Sequence, residues 1–415
     1  MTDSPMHCLP ALTEFAPLKF DKHLLHRHEA ELLWQQYEKV VKVDYPSPRT
    51  GNQWQLTAQG WCGFLPLAEG RGLELRPKVP VLSVWRMLNY AYFTQLHLFD
   101  STFTCRTMPD LIERLAAVLS KRVLDRARRG LYRTYVSESG RLPCVRGRID
   151  INQAMRKPWI PEPHCHYQRH TSDNDENRIL TWTLERIARS GLCHERNEIH
   201  PSGALPAVRQ AYRVLSGATS VHPFTSQDCL GRRYNRLSAD YCILHSLCRF
   251  FLDSMSPSHL ACGENGADML PFLIPMEKLF QDYVAEWLRR HLDINWHVER
   301  QERYDIGDSG QNFQIDLVLY DPMGQARYVV DTKYKSPKNG RPTSSDISQV
   351  IAYAVAKKCR EAVLLYPTTL SFPLDAIVNG IRVRTLTFSL QQDSDEAGRQ
   401  FLWQLKMVSL GDIGS

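Results

Sequence analysis

Two carboxylates and a lysine hold the clearest chemistry in this chain of 415 residues: Asp316, Asp331 and Lys333, within the run Phe313 to Lys335. Phe313, Ile315, Leu317 and Leu319 alternate with Gln314, Asp316 and Val318. A break follows at Asp321-Pro322-Met323-Gly324, and Tyr328-Val329-Val330 then leads into Asp331-Thr332-Lys333. Two β-rich runs about a Pro/Gly break predict a β-hairpin. A turn centred between Met323 and Gly324 sets Asp316 opposite Asp331 on one sheet face, with Cβ atoms about 5 Å apart. Both carboxylates can then share one divalent cation. Lys333, two residues on, faces the same way. Thr332 is expected to point away, leaving its carbonyl as a further hard oxygen ligand. A slip of one residue would undo the arrangement. Such a face suits metal-dependent phosphodiester hydrolysis. Asp-x-Lys also occurs on ordinary strands, but unpaired charges in an apolar strand are costly without a partner or a metal.

The flanking segments must position these groups. In PMEKLFQDYVAEWLRRHL, Met276, Leu279, Phe280, Tyr283, Val284, Trp287 and Leu288 fall at helical spacing and form a wide apolar stripe. Glu277 and Gln281 sit one turn apart beside that stripe, placed to lean toward the hairpin or to form its solvated edge. Downstream, Ser344-Ser345-Asp346 offers N-caps for ISQVIAYAVAKKC, with Ile347, Val350, Ile351, Ala354 and Val355 as its apolar side and Gln349 and Tyr353 on another face. EAVLLYP then reads as a buried strand. Helix, hairpin, helix, strand is the order of a PD-(D/E)xK nuclease core.

From Asp316 through DTKYK to the Gln349/Tyr353 helix, the chain resembles the nuclease domain of the McrC family, the endonuclease subunits of modification-dependent McrBC (type IV) restriction systems. LPCVRGRIDINQAM (142–155), DNDENRILTWTL (173–184) and PKVPVLSVWRMLNYAY (77–92) resemble it too, so the likeness spans roughly residues 60–390. It implies an α/β protein with a C-terminal PD-(D/E)xK nuclease-like core behind an N-terminal β-rich and mixed α/β region. It implies Mg2+ held by Asp316 and Asp331, with Glu277 a further candidate ligand, and catalytic roles for Asp316, Asp331, Lys333 and Gln349. The family often has Glu one helical turn beyond position 277, where this chain has Gln281. Its expected partners are double-stranded DNA in a modified-cytosine context and an AAA+ GTPase of the McrB type, which this subunit stimulates. A non-catalytic adaptor of such a GTPase and a stand-alone repair-type nuclease are the alternative readings.

The rest of the chain bounds the answer. Hydrophobic content of 43% and charged content of 23% are those of an ordinary globular protein. There is no apolar run long enough to span a membrane and the start, MTDSPMHCLP, lacks a signal-peptide layout. Eleven scattered cysteines without a CxxC pair suit reduced thiols, so a cytoplasmic location is expected. His164-Cys165-His166 is metal-like but sits in a Pro-rich stretch with no evident partner ligand. The formal charge of +6 is modestly basic. Lys121, Arg122, Arg126, Arg128, Arg129 and Arg133 form either a phosphate-binding patch or a solvated helix face. No GxxxxGK[ST] occurs, so the chain should not hydrolyse NTPs itself.

Three domains are expected. Residues 1–76 read as a β-rich barrel or sandwich, with Trp54, Trp61 and Phe64 as core or as a base pocket. Residues 77–255 read as helices around a hairpin, Tyr132 to Arg148, tipped by Ser137-Glu138-Ser139-Gly140 with Arg141 beside it, for partner or DNA contact. Residues 271–415 would be the endonuclease domain, after a boundary loop at 256–270.

Overall fold

A computed structural model describes residues 9–21, 23–67, 71–93, 105, 107–195, 203–255, 270–305, 310–337 and 339–409. Two compact units result. Residues 1–111, 257–267 and 271–415 form one, and residues 112–256 with 268–270 form the other. The division differs from that expected from sequence, because residues 1–76 share a unit with residues 271–415. The expected boundary loop, 256–270, lies almost wholly outside the described residues.

The first unit begins with β1 (Leu12–Thr13), β2 (Pro17–Phe20), α1 (Arg27–Gln36), β3 (Val41–Asp44), β4 (Trp54–Ala58), β5 (Trp61–Pro66), β6 (Gly72–Arg76) and α2 (Val81–Tyr92). The strands agree with the β-rich reading of residues 1–76, and α1 is an addition to it. Strands β2-β4-β3 form one sheet, and Leu33, Leu56, Trp54 and Leu75 meet in a common apolar core. Trp54 is 6% exposed there with Trp61 packed against it, so these two aromatics are core.

The second unit carries most of α3 (Met108–Arg129), then β7 (Thr134–Arg141), β8 (Arg148–Ile149), α4 (Ile151–Arg156), β9 (His164–Thr171), α5 (Asp175–Arg189), α6 (Leu205–Ser216) and α7 (Tyr241–Ser254). Ser137 to Gly140 are not a hairpin tip. They lie inside β7, which pairs with β9 from Thr134↔Thr171 to Arg141↔His164. The partner strand comes after α4, too far along the chain for turn signals to reveal it. Arg141 donates to the Glu162 carbonyl at 3.4 Å. On α3, Arg126 and Arg129 pair with Asp240 and Arg128 pairs with Asp125, so those three side chains are internally committed.

The chain returns to the first unit at β10 (Phe272–Pro275), which adds antiparallel to β5 in the sheet β1-β6-β5-β10. Gly63 of β5 permits this: a Cβ there would meet the Phe272 carbonyl oxygen at 2.1 Å. Then follow α8 (Met276–His291), β11 (His297–Asp305), β12 (Asn312–Tyr320), β13 (Ala326–Thr332), α9 (Ser344–Ala356), β14 (Glu361–Tyr366), β15 (Asp375–Val378), β16 (Ile381–Thr387) and α10 (Ser394–Ser409). The predicted stripe of α8 is buried from Met276 to Leu288. On α9, Val350, Tyr353 and Ala354 are buried but Val355 is 62% exposed, so the packed face is rotated from the expected one. The sheet order is β11-β12-β13-β14-β16-β15, antiparallel through β13 and parallel between β13, β14 and β16. Among the described residues no helix is long and apolar enough to cross a membrane, and every described cysteine is unbridged.

Candidate active site

The predicted hairpin is β12–β13. Its turn closes through the Gly324 N–H to the Asp321 carbonyl at 2.9 Å, and Gly324 has φ +74°, a conformation that suits glycine. A register shift between Leu319 and Tyr320 accommodates the turn. Beyond it, Leu317 pairs with Val330, the register that brings Asp316 and Asp331 next in line. Both side chains line one cleft of about 1070 Å3, together with Glu277, Gln281, Lys333, Asp346 and others.

The cleft is densely wired. Asp331 is 2% exposed, and its Oδ2 forms an ion pair with Lys333 Nζ at 2.8 Å while lacking an aligned hydrogen-bond donor. Lys333 Nζ also reaches Asp346 Oδ1 at 3.2 Å and donates to Gln349 Oε1 at 3.0 Å. Gln349 in turn donates to the Tyr353 hydroxyl at 2.7 Å. Asp316 Oδ2 accepts from both the N–H and the hydroxyl of Thr332, each at 2.8 Å. Thr332 therefore does not turn its side chain away as expected. It ends β13, and its N–H and hydroxyl are both spent on the carboxylate. Gln281 leans in as one reading of its helix face required, donating to the Asp316 carbonyl at 3.1 Å while its own Oε1 accepts from Gln301. Glu277 is exposed on the first turn of α8 and lines the cleft.

Burial and mutual repulsion govern the charges. Burial, then the neighbouring Asp316, pushes the Asp331 carboxyl up to about 7 against the pull of Lys333. Burial raises Asp316 as well, opposed by the Thr332 donors. Burial alone would lower Lys333, but Asp331 and Asp346 hold it above the ordinary lysine range, so it stays protonated. Two desolvated carboxylates and an oxygen without a hydrogen-bond donor form an incomplete charge balance, and a divalent cation fits that deficit.

Sequence reasoning missed several participants. In the sequence, Asp346 carries only a helix-capping signal. The N-cap is Thr343, whose Oγ1 accepts from the Asp346 N–H at 3.1 Å, which frees Asp346 Oδ1 for Lys333. Behind Lys333, Tyr334 is 1% exposed and donates to Glu14 Oε2 at 2.9 Å. That same oxygen accepts from the Lys78 N–H at 2.9 Å, and Lys78 Nζ donates to the Tyr334 carbonyl at 2.6 Å while lying 4.1 Å from the Tyr334 ring centroid. Burial raises Glu14 and lowers Lys78. A buried polar knot from the N-terminal segment thus grips the residue next to the lysine.

Comparisons with known proteins agree with one another. The family model described as "McrBC 5-methylcytosine restriction system component" matches residues 56–367. A protein of Escherichia coli (strain K12), "Type IV methyl-directed restriction enzyme EcoKMcrBC", is 25% identical over 268 residues, 62% of this chain and 74% of that protein. A chain in an assembly of Thermococcus gammatolerans McrB AAA+ hexamers with bound McrC superposes with TM-score 0.59 at 16% identity. It covers 96% of this chain and 100% of that one, a likeness of fold. The matched span takes in both the grip on Tyr334 from Lys78 and the cleft itself, and the chain belongs to the McrBC 5-methylcytosine restriction system component family.

Proposed function

We propose that this chain is the endonuclease subunit of a McrBC-type restriction complex, cleaving DNA phosphodiester bonds with Mg2+ in concert with an AAA+ GTPase that it stimulates. The observation that carries the reading is the face shared by Asp316, Asp331 and Lys333 in one cleft. The order α8, β12–β13, α9, β14 supports a PD-(D/E)xK core. Asp316 and Asp331 would hold the metal, with Glu277 a candidate third ligand. When bound, Mg2+ supplies a Lewis acid for the phosphoryl oxygens and lowers the pKa of an attacking water.

The chain's own residues do the rest. Thr332 fixes the rotamer of Asp316 through two donors to one oxygen, and Gln281 anchors the backbone beneath it. Lys333 keeps its proton and offers a fixed positive charge where negative charge grows on the phosphate. Asp346 and Gln349 aim its Nζ, so Gln349 acts as a positioning residue. The AAA+ partner is supported by family membership and by the assembly in which the Thermococcus relative sits. The test is Asp331→Ala, assayed for Mg2+-dependent cleavage of methylated plasmid with partner and GTP present. Cleavage should vanish in a folded protein, whereas a wild-type rate removes this site and leaves the adaptor reading.

A further inference from the structure

A second constellation lies in the other unit. His164-Cys165-His166 is not in a loop: it opens β9, the central strand of the sheet β7-β9-β8. Cys165 is fully buried, so the two histidines share the opposite face, as period-2 alternation requires. Strand β8 pairs Arg148 with His166 and Ile149 with Cys165. The next residue, Asp150, then donates its N–H to the His164 carbonyl at 2.7 Å. Asp150 is held there by its cap of α4, where Oδ1 accepts from the Gln153 N–H at 3.1 Å. Its other oxygen, Oδ2, faces His166 Nε2 at 3.3 Å. The missing third ligand thus comes from the neighbouring strand end.

One ligand-capable atom of each of Asp150, His164 and His166 lies within 4.8 Å of the other two. Ligands about 2.0–2.1 Å from a tetrahedral ion stand roughly 3.3 Å apart, so small side-chain rotations close the set. His164 Nδ1 is buried and has no hydrogen-bond partner. A ring nitrogen withdrawn from water and given no partner is costly, and coordination or a proton-bearing partner would relieve it. Two imidazoles and one carboxylate suit zinc and its first-row neighbours, whereas Mg2+ prefers oxygen donors throughout. The His166 side chain is 55% exposed, which leaves the remaining positions open to water. Two arginines share the face by register, Arg148 across from His166 and Arg141 across from His164. Their charge opposes a cation, though Arg141 is drawn toward the Glu162 carbonyl.

We propose that Asp150, His164 and His166 bind one divalent transition-metal ion of the zinc class, pinning the β8–α4 corner to β9. The proposal is independent of the cleavage chemistry assigned to the Asp316/Asp331 cleft. The test uses the full-length, untagged chain carrying Asp331→Ala, which disables that cleft, after dialysis against EDTA. CoCl2 is titrated while the visible absorption of bound cobalt is recorded, and ZnCl2 and MgCl2 serve as competitors. The expected result is one equivalent of cobalt, displaced by zinc and not by magnesium, and lost on adding His166→Ala or Asp150→Asn. Both added substitutions fall on side chains at least one-fifth exposed, so the fold should survive, and circular dichroism checks it. Absence of cobalt binding, or binding that persists with His166→Ala, overturns the proposal.

Discussion

Replacing Asp331 by Asn should stabilise the metal-free protein while abolishing the Mg2+ binding proposed for the cleft. The folded carboxyl titrates near 7 rather than at its ordinary 3.8. Between those values the folded state binds a proton that the unfolded chain has released, so the contribution of this one group is fully present below 3.8 and is lost as pH rises through 7. A shift of about three units corresponds to a ceiling of about 4 kcal/mol. Asn removes the titration but sets an uncharged amide against Lys333, which loses one of its two carboxylate partners and keeps Asp346. We therefore expect a net gain of about 2 kcal/mol at pH 8, fading toward nothing near pH 5. Glu14, also raised, tilts both proteins alike, whereas Asp316 is coupled to Asp331, so the difference between the two curves reports the titration of the pair. The assay is urea unfolding in EDTA across pH 5 to 8.5, repeated with Mg2+. The metal should stabilise the wild type by about 2.7 kcal/mol at a hundredfold excess over Kd and leave Asp331→Asn unmoved. A variant less stable than wild type at pH 8, or a difference that ignores pH, would refute the reasoning.

Further outcomes follow from neighbouring contacts. Glu277→Gln should slow cleavage less than Asp316→Asn does, because Glu277 is exposed while Asp316 is half-buried and held by the fixed donors of Thr332; equal losses in a nicking assay would make Glu277 a primary ligand. Tyr334→Phe strips one of the donors from buried Glu14 and should cost about 1–3 kcal/mol in thermal unfolding, with weaker cleavage because Lys333 loses its anchored neighbour; an unchanged melting curve would remove the knot from the account. In the second unit, Met155 and Trp159 are each 73% exposed and Ile151 66%, three large apolar side chains left in water on one short stretch of chain. Met155→Ala with Trp159→Ala should reduce the proposed stimulation of an AAA+ GTPase and leave the Asp316/Asp331 cleft intact, and full stimulation would clear these side chains of that role.

What was legible in the sequence was local. Alternation about a Pro/Gly turn placed Asp316, Asp331 and Lys333 together because the period of a strand is two and a turn fixes its register. The apolar spacing of α8 likewise announced its buried face. Contacts made across long stretches of chain left no such trace. Glu14 and Lys78 lie 320 and 256 residues from Tyr334, and neither looks unusual where it stands. Ser137 to Gly140 carried turn-like residues yet lie in a strand, because their partner arrives only after α4. Asp346 presented a helix-start signal that concealed its second task beside Lys333.

The pairing of β5 with β10 bears on how the chain is made. A ribosome delivers β5 by residue 66, but the strand that covers it starts at residue 272. At about 5–20 residues per second the wait is roughly 10–40 s, during which one edge of β5 has no strand beside it. An uncovered edge is a template for pairing with another chain, and here it belongs to a sheet that cannot be finished until the whole inserted unit has been translated. Gly63, the residue that admits β10, also leaves that edge without a side chain to obstruct strangers. The nascent protein thus passes through a long interval in which it is most vulnerable to misassociation, and chaperone attention is expected to concentrate there.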